Sequence, residues 1–510
     1  MITQNESFTK TENTKASHII RIPWLVLAAL IILMLAPLSL SAQSALEWSI
    51  ARHIPGIDDD TDTPYLIADQ NRTVHAFFSQ VAGGQLGVFY AYWTLEHGWS
   101  KPVNILLSPN QRRATVLGAF LDAKGIMHLI FLGGDQYSSE IYYSQAPAVN
   151  AGEARAWSTP KMVGNRATSP PSAALTGDAK GNLYVIYGGN RDGNGIYAVR
   201  SVDGGEIWST PIAVFQTGKK SLTNAWPQLV VDKSGWLQAI WTVITTAGQG
   251  RGIYYSRMNL GNGEWSLPIA LANTPGGLGV RDPALTEHNG RLLAAFYDAN
   301  LDGKYVMRTS DDAGQSWAEP IVPFPDHVGA NGSGSFVEDA NDDLHLFWGQ
   351  RIPSNPDIHG MWHSTYQGDQ WSAPDPIVSG PPSSEFDPSL PRAVASQGNK
   401  LLVLWRQDPG LAGNGLWYSY ATINAKELPI VPLPVPTASE ISAPTPAATQ
   451  VAIEPTPTVL QRATTLPKPT PTLQPVDPAV KAENNPNLNI LWAVIPVALL
   501  VIFVVARNLK

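Results

Sequence analysis

A unit of about fifty residues recurs along this chain, and no other feature restricts the possible fold so strongly. A tryptophan followed within three residues by proline appears as WSKP at Trp99, WSTP at Trp157 and Trp208, WSLP at Trp265, WAEP at Trp317 and WSAP at Trp371. Upstream of each lies an aromatic strand: FYAYW from Phe89, IYYS from Ile141, IYAVRS from Ile196, IYYS from Ile253, YVMRTS from Tyr305 and MWHS from Met361. Further upstream sits a turn rich in Asp, Asn and Gly that leads into an apolar run, as in DAKGIMHLIF and DKSGWLQAIW. Those residues allow a tight reversal, and five or six alternating or apolar residues on each side read as a hairpin.

The turn element occurs seven times, its last copy being SQGNKLLVLW, and LWYS from Leu416 is a seventh aromatic strand with no Trp-x-x-Pro after it. The missing outer strand is supplied by ALEWSIARHIP at 45–55, which resembles GEWSLPIALAN from Gly263. Trp48 then joins the N-terminus to the last repeat. Radial repetition of four-stranded sheets hides strand edges and buries both faces of each sheet. The expected fold is therefore all-β, a seven-bladed β-propeller over 46–425 closed by its N-terminal strand, with the recurring tryptophans packed between blades.

Composition read by region sets the remaining boundaries. Residues 426–487 are dominated by Pro, Thr and Ala, as in APTPAAT and LPKPTPTLQP, a composition that favours extended polyproline II and predicts a disordered or semi-rigid stalk. Residues 1–45 carry Lys10, Lys15 and Arg21, an apolar run from Trp24 to Ala42, and small residues after it. That order reads as an export signal, or an uncleaved signal anchor. The run from Leu488 to Ala506 (domain 488–507) would span about 29 Å as a helix. It is followed by Arg507 and a tail, 508–510, ending in Lys510. Positive residues stay on the cytoplasmic side, which predicts a single-pass cell-membrane protein with its propeller extracellular. The net charge of −8 and the lack of a long basic run offer no phosphate-neutralising surface for nucleic acid, and the chain has no cysteine for disulfides or thiolate chemistry.

Two turns carry a more specific motif. Ser201, Asp203, Gly205 and Trp208, and again Ser310, Asp312, Gly314 and Trp317, fit S-x-D-x-G-x-x-W, while Ser364 to Trp371 is a degenerate copy with Tyr366 in the Asp position. On these motifs the chain resembles the sialidase (BNR, Asp-box repeat) superfamily of β-propellers across 46–425. The resemblance implies that the boxes are structural and lie on the face opposite the ligand site. It also implies a chemistry of three arginines on a substrate carboxylate, a tyrosine nucleophile activated by a glutamate, and an aspartate as acid/base.

The opposite face is formed by the loops leading into each innermost strand and those leaving each second strand. The leading loops DTDTPYL, AWPQL, VRDPAL and FDPSL share an x-x-P-x-L frame, and they bring Asp62, Trp226, Arg281, Asp282 and Asp387 toward the central opening. The exits add Arg191, Asp298, Arg351, Arg406 and Asp408. Arg281 resembles the arginine of the family's R-I-P motif, and Arg351 and Arg406 complete a cluster suited to a carboxylate. The family places that motif in the first blade, where this sequence has Asp62-Thr-Pro64 and no arginine; no Tyr–Glu pair is evident. Asp298, Asn300 and Asp302 match the first half of a calcium loop, with Thr309 where a bidentate glutamate is needed. No cofactor is expected apart from that calcium.

Three functions follow: a surface binding module for glycans or another extracellular ligand, an exo-glycosidase of sialidase type on sialylated or other anionic glycans, and a protein-interaction scaffold.

Overall fold

The computed structural model describes residues 46–434, apart from 58–60, 83–84, 110–113, 135–138, 166–171, 191, 275, 277–278, 352–357, 382, 384–385 and 408–414. Both membrane-length apolar segments, the stalk beyond 434, Arg191 and Asp408 lie outside the described residues. Among those described, no helix is long and apolar enough to cross a membrane.

Seven antiparallel sheets follow one another along the chain. Their innermost strands are Tyr65–Ala68, Ala114–Leu121, Ala173–Gly177, Leu222–Val231, Val280–His288, Ala330–Glu338 and Pro388–Ser396. Each innermost strand touches the next, and the last touches the first, which closes the ring. These sheets are numbered blades 1 to 7 in that order. Blade 5 has three strands, Val280–His288, Arg291–Asp298 and Lys304–Ser310, and its outer edge is completed by a single bridge between Met307 and Ile321.

Blade 7 takes its outer strand from the other end of the chain. Arg52 and His53 pair with Tyr418 and Trp417, and Trp48 bridges Ala421. Ser49 donates its N–H to Tyr420 O at 2.8 Å and accepts the Tyr420 N–H on its Oγ at 3.0 Å. The N-terminal segment thus completes a sheet whose edge would otherwise present unpaired backbone groups.

The recurring tryptophans pack each blade against the one before it. Trp99 meets Tyr418 of blade 7 at 5.8 Å, Trp157 meets Phe77 of blade 1 at 5.8 Å, and Trp208 meets Tyr143 of blade 2 at 5.2 Å, all edge-to-face. Trp265 joins an apolar cluster with Tyr184 of blade 3, and Trp317 meets Tyr255 of blade 4 at 5.0 Å. Trp371 meets Phe324, which follows blade 5, at 6.0 Å, and Trp48 meets Phe347 of blade 6 at 6.0 Å. Among the described residues the indole N–H groups of Trp99, Trp208, Trp265 and Trp317 have no acceptor. Their contribution is therefore apolar burial, about 1.5 to 3 kcal/mol for a large side chain.

The two intact boxes are closed hairpin turns. Ser310 Oγ donates to Asp312 Oδ1 at 2.8 Å and accepts the Gly314 N–H at 2.9 Å; Ser316 donates its N–H and its hydroxyl to the same carboxylate at 2.9 and 2.6 Å. Ser201, Asp203 and Gly205 repeat the first part of this pattern, with the Ile207 N–H on Asp203. The box glycine has positive φ in both copies, and a Cβ there would strike a tyrosine hydroxyl of the preceding blade, Tyr143 at Gly205 and Tyr255 at Gly314. In the degenerate copy a Cβ on Gly368 meets nothing, and Arg291 bridges Tyr366 and Asp369 from the neighbouring turn.

The folded chain continues past residue 425, where the Pro/Thr-rich stretch was expected to begin as a stalk. Lys426 donates its N–H to Asn341 Oδ1 at 3.1 Å, Leu428 to Gln397 O at 2.8 Å and Val431 to Gln70 O at 2.9 Å. Glu427 pairs with Arg72, Leu433 packs on the core between blades 1 and 2, and Pro434 lies against Gly125. Residues 426–434 thus run over the inner turns of blades 6, 7, 1 and 2. Proline is tolerated because such a strap needs few of its own N–H groups.

Candidate functional site

The innermost strands of three blades begin irregularly. The pairing of blade 4 slips between Ala225 and Gln228, that of blade 5 between Arg281 and Ala284, and that of blade 7 between Ser389 and Arg392. Each slip holds a non-glycine residue in the left-handed region just before a proline: Trp226 with φ 50°, Asp282 with φ 56° and Leu390 with φ 51°. Such bulges re-aim side chains, and backbone held in this region costs about 1 to 3 kcal/mol per residue. Blade 6 slips between Asn331 and Ser335 around Gly332, with φ 82°.

The register corrects the shared frame expected from sequence. In blade 7 the equivalent of Trp226-Pro227 and Asp282-Pro283 is Leu390-Pro391, not Asp387-Pro388, because Pro388 already pairs with Gln407 as a regular strand residue. In blade 1 Pro64 precedes a strand with no slip at all.

The bulges assemble a mixed aromatic and charged cluster. Arg281 Nε donates to Asp282 Oδ2 at 2.7 Å, and its guanidinium lies over Trp226 at 5.4 Å and near Tyr297 at 5.9 Å. The Asp282 side chain is 4% exposed whereas that of Arg281 is 43% exposed. Arg281 therefore covers a buried carboxylate with one edge and keeps the rest of its donor fork toward solvent. The Asp282 charge pushes the Arg281 pKa up further, so the guanidinium carries a fixed charge.

Asp387 anchors a second group. Arg351 forms an ion pair with it, His359 Nε2 lies 3.2 Å from its other oxygen, and Gln407 Oε1 accepts its N–H at 2.7 Å. Asp62 accepts the Thr115 hydroxyl at 3.0 Å and donates its N–H to Ser79 O at 3.3 Å, which ties it to blades 1 and 2. Arg406 is half-buried in the ladder of blade 7 opposite Ser389 and Leu416. Of the arginines expected to converge, Arg281 and Arg351 are each engaged by a different aspartate.

Several residues of this face were not singled out from sequence. Arg392 follows the blade 7 bulge and lies over Tyr65 of blade 1 at 5.7 Å. Burial pushes the Tyr65 phenol up, against the opposing pull of Arg392. Tyr305 donates to Gly332 O at 2.7 Å, and burial and then Asp282 raise its pKa. A Tyr–Glu pair does exist: Tyr142 donates to Glu140 Oε2 at 2.7 Å in blade 2, where burial and then the glutamate push the phenol up to about 12. The pair is two residues apart in one strand, so both side chains share a face, a period-two signal that sequence could have given.

The calcium-type spacing closes on itself. Asp298 Oδ1 accepts the Asn300 N–H at 2.8 Å and its Nδ2 at 2.9 Å, Gly303 donates to Asp298 O, and Asp302 takes the left-handed conformation that ends the turn. No group of three or more His, Asp or Glu able to hold a metal occurs among the described residues. The three residues form a hairpin tip.

No family model and no curated protein matches this sequence. Similar solved structures include a protein of unknown function from Dyadobacter fermentans, with 12% identity and TM-score 0.45 over 73% of this chain and 99% of that one. An ulvan lyase of polysaccharide lyase family PL25 has 12% identity and TM-score 0.46 over 73% and 96%. The NanB sialidase from Streptococcus pneumoniae has 11% identity and TM-score 0.41 over 74% and 71%. The two intact Asp-boxes carry the resemblance of this propeller to the sialidase-like superfamily.

Proposed function

We propose that this protein is an extracellular, membrane-anchored propeller that binds glycans at the mouth formed by blades 4, 5 and 7. The observation that carries this reading is Arg281, half exposed between Trp226 and Tyr297 and pinned by buried Asp282. Aromatic faces stack on the apolar faces of sugars, and a guanidinium fork reads a carboxylate or sulfate with fixed geometry. Strained backbone beneath such residues supports the reading, since strain of this kind gathers at functional sites. The ulvan lyase and the sialidase are named for action on glycans, which is consistent with it.

A glycan array probed with the purified protein tests the proposal. Binding to an anionic glycan that is abolished by Arg281→Ala and by Trp226→Ala is the expected result. Sugar-independent binding, or binding indifferent to both changes, points to a protein-interaction scaffold. Membrane anchoring is tested separately, by whether the protein sediments with membranes and loses that property when 488–507 is deleted.

Hydrolysis by a sialidase-type mechanism is a second reading, favoured by the Tyr142–Glu140 contact. Tyr142 sits in the core between blades 1 and 2 with its phenol held protonated, so an incoming sugar would have to reach it there. Release of 4-methylumbelliferone from a sialoside, lost in Tyr142→Phe, supports hydrolysis; no release from the folded protein removes it.

A further inference from the structure

A polar relay is built into the inner half of several blades. In blade 1, His75 Nε2 lies 3.2 Å from Asp69 and its Nδ1 lies 2.8 Å from the Tyr90 hydroxyl. In blade 2, His128 Nε2 lies 3.4 Å from Asp122 and its Nδ1 2.7 Å from the Tyr143 hydroxyl. In blade 4 the middle member is Gln238, between Asp232 and Tyr255. The turn aspartate orients the middle residue, and the tyrosine hydroxyl completes it.

Blade 6 departs from this pattern. Its relay runs from Asp339 to His345 Nε2 at 3.4 Å, and from His345 Nδ1 to His363 Nε2 at 2.9 Å, so histidine replaces the tyrosine. If His345 donates to Asp339, its Nδ1 must accept from His363 Nε2, which leaves His363 Nδ1 as a lone pair. That atom is buried, has no hydrogen-bond partner among the described residues, and faces Asp375 Oδ2 at 4.0 Å. The same Asp375 oxygen accepts Trp48 Nε1 at 2.9 Å. Trp48 also sets its ring edge-on to His363 at 5.5 Å and belongs to the N-terminal segment that completes blade 7.

We propose that His363 makes closure of the ring acid-sensitive, by competing with Trp48 for the Asp375 carboxylate when its Nδ1 takes up a proton. The groups facing the histidine pair are Asp339 from the inner turn, Asp375 from the outer strand, Thr365 from the third strand, Phe347 from the second and Trp48 from the closing segment. An added proton has one orphaned acceptor to bind, His363 Nδ1, and the new N–H needs Asp375 to approach. As the carboxylate moves, Trp48 loses its acceptor. Burial and then the adjacent His345 hold the His363 pKa well below the ordinary imidazole value. A base with its folded pKa lowered stabilises the fold fully above the unfolded value near 6.5, and that contribution is lost as pH falls from there toward the folded pKa.

Hydrogen exchange of segment 46–54 in the full-length protein tests this, compared at about pH 7.5 and about pH 5 after correction for intrinsic rates. Protection of that segment is expected to fall about tenfold or more at the lower pH, the effect of one pKa unit between closed and open states. His363→Tyr restores the arrangement of blades 1 and 2 and is expected to hold the change below about twofold. Strands of blade 2 serve as the internal reference. Equal protection at both pH values, or an undiminished loss in His363→Tyr, overturns the proposal. Should His363→Tyr fail to fold, Asp375→Asn decides: it keeps an acceptor for Trp48 but removes the charge that attracts the proton, so an unchanged acid response in that variant also overturns it.

Discussion

The two faces of the disc solve the same electrostatic problem in opposite ways. On the box face, the two box aspartates are answered within their own turns. Asp312 accepts from Ser316 and is shared with Ser310, and those hydrogen bonds pull its carboxyl down to about 2. On the mouth face, Arg281 and Arg351 each pair with a buried aspartate, with the backbone under Trp226, Asp282 and Leu390 held in a sparsely populated conformation. A face whose charges are satisfied locally gains little from a ligand, whereas the half-exposed Arg281 guanidinium above the buried Asp282 carboxylate keeps donors to offer.

The comparison is broken most severely if a box glycine tolerates a side chain. Gly314→Ala combines positive φ with collision against Tyr255, and we expect it to lower stability by about 3 kcal/mol in urea unfolding with glycan binding per folded molecule unchanged. Trp226→Ala should do the reverse, costing about 2 kcal/mol of glycan affinity with little change in the urea midpoint. Within the box face itself, Gly368→Ala sharpens the cause, because a Cβ there meets nothing and the φ cost alone remains, about 1 kcal/mol. The smallest expected effect is that of Asp312→Asn. The folded pKa of Asp312 lies below its unfolded value, so its contribution is present above about pH 4 and lost as pH falls through about 2. Replacing it should flatten that acid limb by less than about 1 kcal/mol, since the site is solvent-screened.

Much of the fold was legible because packing repeats where sequence repeats. The tryptophans, the Asp/Gly turns and the likeness of residues 45–55 to Gly263–Asn273 fixed the blades and their closure, since each occupies the same place in every unit. The intact boxes carry a further signal that pairs of blades reveal: IYYS in blade 2 and again in blade 4 precedes the box of the next blade, because its second tyrosine packs on the box glycine. The mouth was harder. Of two prolines three residues apart, Pro388 fits the leading-loop frame with Leu390 two residues on, whereas Pro391 is followed by Arg392 and Ala393, and the ladder register alone chooses Pro391. Arg392 and Tyr65 meet through closure of the ring, a contact between distant parts of the chain that no local pattern announces. The strap was hidden by composition, since LPIVPLP reads as linker until the turns that hold it are known.

That strap changes how the disc responds to being pulled. Tension applied to the chain beyond Pro434 arrives first at blade 2, then at the Val431–Gln70 and Glu427–Arg72 fastenings, and last at the strand Leu416–Thr422. A terminal strand loaded directly would unzip one hydrogen bond at a time, whereas here several fastenings on four blades must yield before the seam feels the load. The stretch that looks least like structure is therefore a mechanical shield for the strand on which the ring is closed.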